Sequence, residues 1–395
     1  MGQQLLTWLH QLGCLHIFAK NVKMMKGWFI LTILLLLTFP KVFGQQVADT
    51  LRLNNQELSA NKPNDISVST QIFLGYRYFI GNSGSTNEFT VKRGYINFIK
   101  SLNKNISGRI TPDITLDREG DGQGDMEMRL KYCYMKLEEP GDFWIFTNPA
   151  VFIGEVFTPW IEFEEKINPY RIQGNHFLEK SDILISADFG VMAAALLGGT
   201  LNEGYQTRVG SDYPGRYGSL AIGVYNGGGY HNIEENNNKT LQYRLTLRPL
   251  PDMIPGLQLS YTGATGKGNT TLSPDWNTNV GVLSYQGQPV TLCGQVFSSV
   301  GNYSGSLADT LGVSYKVWGW SAFVEFKLLR NRLSIFGRYD YVKGRNLSEF
   351  GNITQSVVGV AYSLFRRNKL VVDYSRNESS GKVEEVIEFM VELAF

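Results

Sequence analysis

Residues 241–248 read LQYRLTLR and alternate strictly between apolar and polar side chains. The odd positions hold Leu, Tyr, Leu and Leu, whereas the even positions hold Gln, Arg, Thr and Arg. Because successive side chains of a β-strand point to opposite faces, one face of this strand is apolar and the other is polar. The stretch therefore predicts a strand that separates two environments, but it does not say whether protein or lipid covers the apolar face.

The same alternation recurs along most of the chain, in segments 71–80, 126–136, 333–341, 370–376 and 386–395. Turn-forming stretches rich in Gly, Asn and Asp separate these segments. Repeated segments of about ten residues with alternating polarity are typical of transmembrane β-barrels. Many Tyr and Trp residues share the apolar parity, which suits the two interfaces of a membrane better than the core of a soluble sandwich. The apolar faces are therefore expected to meet lipid.

Two segments give less simple predictions. In residues 126–136, strict alternation places Tyr132 and Tyr134 outward and Cys133 inward. In residues 88–100 neither parity is clean, which indicates either a subunit contact or a β-bulge.

Composition agrees with a β-rich membrane protein. Among 395 residues, 13% are aromatic, 42 are Gly and only 18% are charged, which favours strands and turns. The first 44 residues hold four lysines and no acid, so the remainder carries 33 basic and 36 acidic residues, a net charge of −3. This balance gives no sign of nucleic-acid binding. The three cysteines form neither a disulfide framework nor a metal-binding pattern.

The N-terminal region predicts export. An apolar run of 12 residues, Trp28–Phe39, follows a basic stretch and precedes a plausible cleavage site after Gly44. Residues 1–44 are therefore predicted to be a cleaved signal peptide, and translation starting at Met24 or Met25 would give a leader of ordinary length. Residues 45–65 are expected to be a periplasmic segment. No later apolar run reaches the roughly 20 residues of a spanning helix.

The fold expected for residues 66–395 is an all-β, transmembrane antiparallel barrel. The sequence allows 14 to 17 strands, and 16 are predicted because both chain ends on one side of the membrane require an even number. A barrel of this size encloses an aqueous lumen.

Several blocks resemble the outer-membrane porins of the phosphate-selective O and P type, particularly their Bacteroidetes members. The first is FTVKRGYINFIKSLNKNISGRITPDITLD, at 89–117, and the second is VFIGEVFTPWIEFEEKINPYRIQGNHFLEK, at 151–180. Shorter similarities are SADFGV at 186–191, VYNGGG at 224–229 and GRYDY at 337–341. Their order and spacing carry the resemblance.

The resemblance implies a 16-stranded barrel, usually a homotrimer, in the outer membrane of a Gram-negative cell. It implies a third loop that folds inward to narrow the pore, and contact with outer-membrane lipids. It also implies that Phe395 is the signal read by the barrel-assembly machinery.

Pore residues follow from inward parity. The pore-lining candidates are Arg77, Arg109, Arg129, Lys131, Arg244, Arg248, Arg338, Asp340 and Asp373. The constriction-loop candidates are Glu162, Glu164, Glu165, Lys166 and Arg171. Because both signs of charge are present, the lining predicts weak ion selectivity, and phosphate specificity is not carried over from the family.

The function expected is passive diffusion of ions and small hydrophilic solutes, with no cofactor, no metal and no enzymatic activity. The alternative is a closed barrel that acts as an anchor or partner in a surface assembly. A weaker alternative is a hydrolase that uses His176 and Ser181. The acidic turn Asp117–Asp125 resembles a calcium loop, but Met128 replaces the glutamate required at the twelfth position.

Overall fold

The structure is a computed structural model that describes residues 66–81, 84–117, 122–345, 352–365, 367–379 and 381–395. The predicted signal peptide 1–44 and the segment 45–65 lie outside the described residues. Part of the acidic turn, residues 118–121, lies outside them too.

Seventeen strands are described. The first nine are β1 (Ile66–Gly81), β2 (Gly84–Ser101), β3 (Ile106–Leu116), β4 (Met126–Glu138), β5 (Asp142–Phe143), β6 (Phe146–Phe157), β7 (Ala187–Leu197), β8 (Gly218–Tyr225) and β9 (Thr240–Leu247). The others are β10 (Leu257–Lys267), β11 (Asp275–Gln286), β12 (Val290–Val300), β13 (Lys316–Leu328), β14 (Leu333–Arg345), β15 (Ile353–Phe365), β16 (Asn368–Ser379) and β17 (Lys382–Ala394).

Sixteen of these strands form a closed antiparallel ring. Each barrel strand pairs with the next along the chain, β4 pairs directly with β6, and β17 returns to pair with β1. The two-residue strand β5 pairs with the start of β6 and lies outside the ring. Closure gives every strand two neighbours, so the sheet has no open edge. The predicted 16-stranded barrel is confirmed.

In the described part of the chain, three short helices lie in the connections between strands. They are α1 (Ile161–Ile167), α2 (Phe177–Lys180) and α3 (Glu203–Arg208). None of the helices in the described part of the chain has the length and apolar character needed to span a membrane.

The alternation that decides the fold appears directly in the exposure of β9. Arg244 and Thr246 are buried, while Leu245 and Leu247 between them are 43% and 47% exposed on the outside. Strands β14 and β17 follow the predicted parity as well: Arg338, Asp340 and Glu388 are buried on the inner side.

Four of the described strand pairs have register shifts, and two of these shifts are β-bulges that change the parity of β2 and β4. On β2, Phe73 pairs with Arg93 and Leu74 pairs with Val91, so Lys92 is an extra residue. The irregular parity of this strand therefore comes from a bulge, one of the two explanations that the sequence left open. A bulge lets consecutive side chains face the same side.

The second bulge corrects a prediction. Thr111 pairs with Tyr132 and Pro112 pairs with Leu130, which leaves Lys131 as the extra residue of β4. Pro112 has no N–H to donate to the ladder, so a bulge is a favourable place for it. Beyond this point the faces exchange: Tyr132 is buried on the inside and Cys133 is exposed on the outside. The prediction that Tyr132 and Tyr134 face outward and Cys133 inward was wrong.

Connections differ between the two ends of the barrel. The terminal end, where β1 begins and Phe395 lies, has short turns such as 102–105 and 287–289, together with a longer connection, 198–217. The far end carries the 158–186 connection, which is the longest. It is the third connection at that end.

Candidate functional site: the barrel interior

The 158–186 connection contacts strands all around the ring. Lys92 Nζ on β2 donates to the carbonyl oxygen of Gln173 at 2.6 Å, and Arg244 Nε on β9 donates to that of Pro159 at 2.9 Å. Further hydrogen bonds join the connection to β11, β12, β13, β14 and β16, through Gln286, Gln295, Glu325, Arg338 and Lys369. Only the interior of a closed ring gives one segment access to all these strands.

The connection rests on an apolar seat on the inner wall. Side chains of β11 to β15 supply the largest part of this buried cluster: Trp276, Val280, Val282, Cys293, Phe297, Val317, Phe323, Phe336, Val342, Val357 and Ala361. The connection supplies the next largest part: Trp160, Ile161, Phe163, Ile167, Tyr170, Ile172, Phe177, Leu178, Ile183 and Leu184. Other strands add Phe73, Tyr95, Ala264, Val371 and Met390. The rings of Tyr170 and Phe336 stack with centroids 3.9 Å apart. The hydrophobic effect therefore holds this segment in place along with its hydrogen bonds.

A connection at the terminal end reaches the same cluster. The ring of Tyr213 lies 4.8 Å from that of Phe163, and its hydroxyl donates to the carboxylate of Glu162. Lys166 Nζ lies 3.7 Å from Asp212. The 158–186 connection thus extends from the far end to within contact of the opposite end.

The inner wall formed by β1 to β4 is charged and aromatic instead. Arg93 Nε lies 3.3 Å and Arg129 Nη2 3.2 Å from the carboxylate of Asp113. Arg109 donates to Asn97 at 2.8 Å and lies over the ring of Tyr132.

Arg77 completes this charged wall near the far end. Its Nε lies 2.6 Å from Glu388, which also pairs with Lys92 at 2.7 Å. Asp373 is buried beside this group, on β16.

This wall and the connection approach each other in a region that we call the narrow part. Lys131, Tyr95, Tyr132 and Arg171 are only 2–7% exposed there. Lys131 Nζ lies 4.7 Å from the centre of the Tyr95 ring and 5.4 Å from that of Tyr132, within the range of cation–π attraction.

Arg171 enters the narrow part from the connection. It forms ion pairs with Glu165, at 3.5 Å, and with Glu179. Burial alone would raise the pKa of Glu179, but the Arg171 guanidinium outweighs burial and lowers this pKa to about 2. Glu179 therefore carries a full negative charge at neutral pH.

The remaining predicted residues lie behind the connection or at its edge. Arg338 pairs with Asp340 at 3.0 Å on β14, under the carbonyl oxygen of Asn175. Arg244 lies below the ring of Phe163, at 4.0 Å, and Arg248 donates to the carbonyl oxygen of Pro255 at the terminal end. Most of these charges are therefore covered by protein.

Glu164 is the most deeply buried acid of the constriction-loop set. It accepts a hydrogen bond from Gln295 at 2.7 Å, and burial raises its pKa to about 7. Lys166 pairs with Glu162 at 3.6 Å in α1.

Sequence reasoning missed Lys92, Arg93, Tyr95 and Tyr132 as interior residues. The bulges at Lys92 and Lys131 bring these side chains inside, and their positions depend on pairing with β1 and β3. The only signal in the sequence was the broken alternation around Lys92.

His176 and Ser181 flank α2 as its caps. The ring nitrogens of His176 have no hydrogen-bond partner among the described residues. Burial is the main cause that lowers the pKa of His176 well below the usual 6.5, and the positive charges of the nearby Arg171 and Arg338 lower it further. This arrangement does not pair a base with a nucleophile.

Comparison with known structures identifies the architecture. The anion-selective porin of Comamonas acidovorans superposes with a TM-score of 0.60 at 8% identity, over 84% of this chain and all of that one. The chain has the fold of the outer-membrane porins. The DcaP channel of Acinetobacter baumannii gives 0.57 at 13% identity, covering 85% and 99% of the two chains. OmpF of Salmonella typhi gives 0.56 at 14%, covering 84% and 98%. No protein-family model and no curated protein matches the sequence.

Proposed function

We propose that the protein is an outer-membrane porin through which ions and small hydrophilic solutes diffuse passively. The observation that carries this proposal is a row of partly exposed charged side chains between the 158–186 connection and the wall of β1 to β4: Arg77, Arg93, Arg129, Glu165 and Lys166. In a closed ring, charged groups in such a gap line a path for water. The porin fold supports the same function.

The 158–186 connection acts as the constriction in this proposal. It carries Glu162, Glu164, Glu165, Lys166 and Arg171, and its apolar seat holds it against β11 to β15. The solute path then runs along the opposite wall, past the partly exposed side chains of Arg77, Arg109 and Arg129. The partly exposed cations, Arg77, Arg93, Arg109, Arg129 and Lys166, outnumber the partly exposed carboxylates, Glu88, Glu162 and Glu165, so the path favours anions slightly.

Location and assembly belong to the proposal as well. The far end faces the outside of the cell, the termini face the periplasm, and residues 1–44 are removed on export. Three copies form the working unit. Light scattering of the purified protein in detergent would measure the number of copies directly. We propose no enzymatic role.

The test is single-channel recording of the purified mature protein in a planar bilayer, with a KCl gradient across it. Discrete open steps are expected, with a reversal potential of the sign for weak anion preference. A folded barrel that stays silent, even after its constriction is loosened by Phe177→Ala, would contradict the channel.

A second candidate function is a closed barrel that anchors a surface assembly. It is favoured by the near-complete burial of Lys131, Tyr95, Tyr132 and Arg171 in the narrow part. Silence of both the wild type and Phe177→Ala, together with co-purification of a surface partner, is the result that this function predicts.

A further inference from the structure

The outer surface of β10 to β12 carries polar side chains where lipid contact is expected. Thr265, Asn277, Asn279 and Ser298 point outward on the half of these strands nearer the far end, and all four are exposed. A hydrogen-bonded chain joins three of them: Asn279 donates to Asn277 at 2.8 Å, and Asn277 donates to Thr265 at 3.5 Å. Tyr261 extends the chain by donating to Asn279 at 2.5 Å. Polar groups facing hydrocarbon are unfavourable unless something else hydrogen-bonds to them.

An apolar groove of about 710 Å³ lies next to this chain, toward the terminal end. Its floor contains Gly281 and Gly294, and a methyl-sized side chain at Gly294 would meet no atom within 4 Å. Leu259, Leu283 and Trp320 form parts of its walls. The groove has the dimensions and chemistry of a cleft for a hydrocarbon chain.

Cationic side chains border the polar chain on its other side. Asn279 pairs in register with Ser298, Ser298 with Trp318, and Trp318 with Lys343. One row nearer the far end, Val300 pairs with Lys316. Lys316 and Lys343 are exposed, and neither forms an ion pair with another described residue.

We propose that this outer patch, consisting of the groove, the polar chain and the two lysines, binds a phosphorylated glycolipid of the outer leaflet. Its three parts follow one another in the order of such a lipid. An acyl chain occupies the groove, sugar hydroxyls meet the amides of Asn277 and Asn279 beside Trp318, and a phosphate lies between Lys316 and Lys343. The lysines select an anionic lipid, because each lysine near an anionic headgroup strengthens attraction by about fivefold.

This inference uses the proposed place of the barrel in the outer membrane but does not require an open channel. The two are tested separately, because the outer patch lies on the opposite face of the sheet from the lumen. Conductance is expected to be the same in every variant described below.

The first experiment measures binding of diphosphorylated lipid A to the full-length mature barrel in detergent, by native mass spectrometry. The double variant Lys316→Gln with Lys343→Gln should bind about 25-fold more weakly than the wild type. Lys239→Gln, an exposed lysine in a connection at the same end, is the matched control and should bind normally. Lipid A lacking both phosphates should bind wild type and double variant equally. Equal affinity of the wild type and the double variant for the phosphorylated lipid would overturn the proposal.

The second experiment fills the groove. Gly294→Leu should weaken lipid A binding by about tenfold, since it displaces several methylene groups of the acyl chain. Gly108→Leu on β3 is the matched control, because a Cβ there would meet only the carbonyl oxygen of Tyr134, at an ordinary contact distance of 3.9 Å, and would lie outside the groove. A Gly294→Leu protein that binds lipid A normally but loses its oligomeric state would show that a second copy occupies the patch, and would refute the lipid site.

Discussion

The two inner walls of this barrel share the same alternating strand pattern but carry different side chains on their inward positions. On β11 to β15 the inward positions hold Val280, Phe297, Phe323 and Phe336, and the 158–186 connection covers them. On β1 to β4 the inward positions hold arginines, Lys131 and tyrosines, and part of that wall stays open to water. A large apolar seat fixes the loop, whereas the charged wall is left for the solute.

This difference shows that a charged side chain on an inward position does not necessarily face the water of the pore. Arg338 and Arg129 both lie on inward positions, yet Arg338 is beneath Asn175 of the connection while Arg129 is partly exposed. Charges of the first kind hold the constriction in place, and charges of the second kind act on ions.

Removing apolar contact from the seat should have the largest effect. Phe177 is fully buried, with its ring 5.5 Å from that of Phe297. Phe177→Ala should destabilise the seated connection by about 3–5 kcal/mol, as buried Phe to Ala changes generally do. Larger single-channel conductance and faster amide exchange within 158–186 would show this.

The matched control is Leu311→Ala, at an exposed leucine in another connection of the far end. Leu311→Ala should change neither the single-channel conductance nor the amide exchange within 158–186. Unchanged conductance and exchange in Phe177→Ala would mean that the apolar seat does not hold the constriction.

Breaking the buried ion pair between Arg171 and Glu179 should have the second-largest effect. Glu179→Gln leaves the Arg171 guanidinium without its main partner, at a cost of about 3 kcal/mol. The connection should become more mobile and the channel more anion-selective. Lys166→Gln, which removes a half-buried pair, should cost about 1 kcal/mol or less. Equal amide exchange in the two variants would contradict this ranking.

A smaller effect should separate the two kinds of inward charge. Arg129→Gln should lower the anion-to-cation permeability ratio by roughly fourfold at most, because one unit charge about 10 Å from an ion in water shifts the anion and the cation in opposite directions by about 0.4 kcal/mol each. Arg338→Gln should leave that ratio unchanged while loosening the connection. Reversal potentials of both variants in a KCl gradient check the comparison. Equal shifts from the two substitutions would show that the connection does not shield β14.

The pH dependence should be the smallest effect. Burial raises the pKa of Glu164 from 4.5 to about 7. The Glu164 carboxyl group therefore holds its proton more tightly when the connection is seated on the inner wall than when the connection is released from it. Seating should therefore weaken as pH rises from 6.5 to 7.5, by about 1 kcal/mol at most. His176 acts in the opposite direction below pH 6.5, since burial lowers its pKa and protonation favours release.

Amide exchange of 158–186, corrected for the intrinsic rate at each pH, measures this trend between pH 6.5 and 7.5. Glu164→Gln should abolish the slope, while Glu165→Gln should keep it. A slope that persists in Glu164→Gln would assign the dependence to another group.

The order of residues was sufficient to predict the closed barrel, its 16 strands and the inward side of β9, β14 and β17. It could do so because alternation is a local property: each residue's face follows from its neighbours in the same strand. Arg244, Asp340 and Glu388 were therefore placed correctly on the inner side.

Tertiary structure alone decided which of those residues face water. The bulges at Lys92 and Lys131 arise from pairing with β1 and β3, and they turn Tyr132 inward against the alternation of β4. The cover over Arg338 comes from a segment more than 150 residues away in the chain. The bulge at Lys92 left a broken alternation in the sequence, but the bulge at Lys131 and the cover over Arg338 left no periodic signal. Both depend on how distant strands and loops meet rather than on the order of residues within one strand.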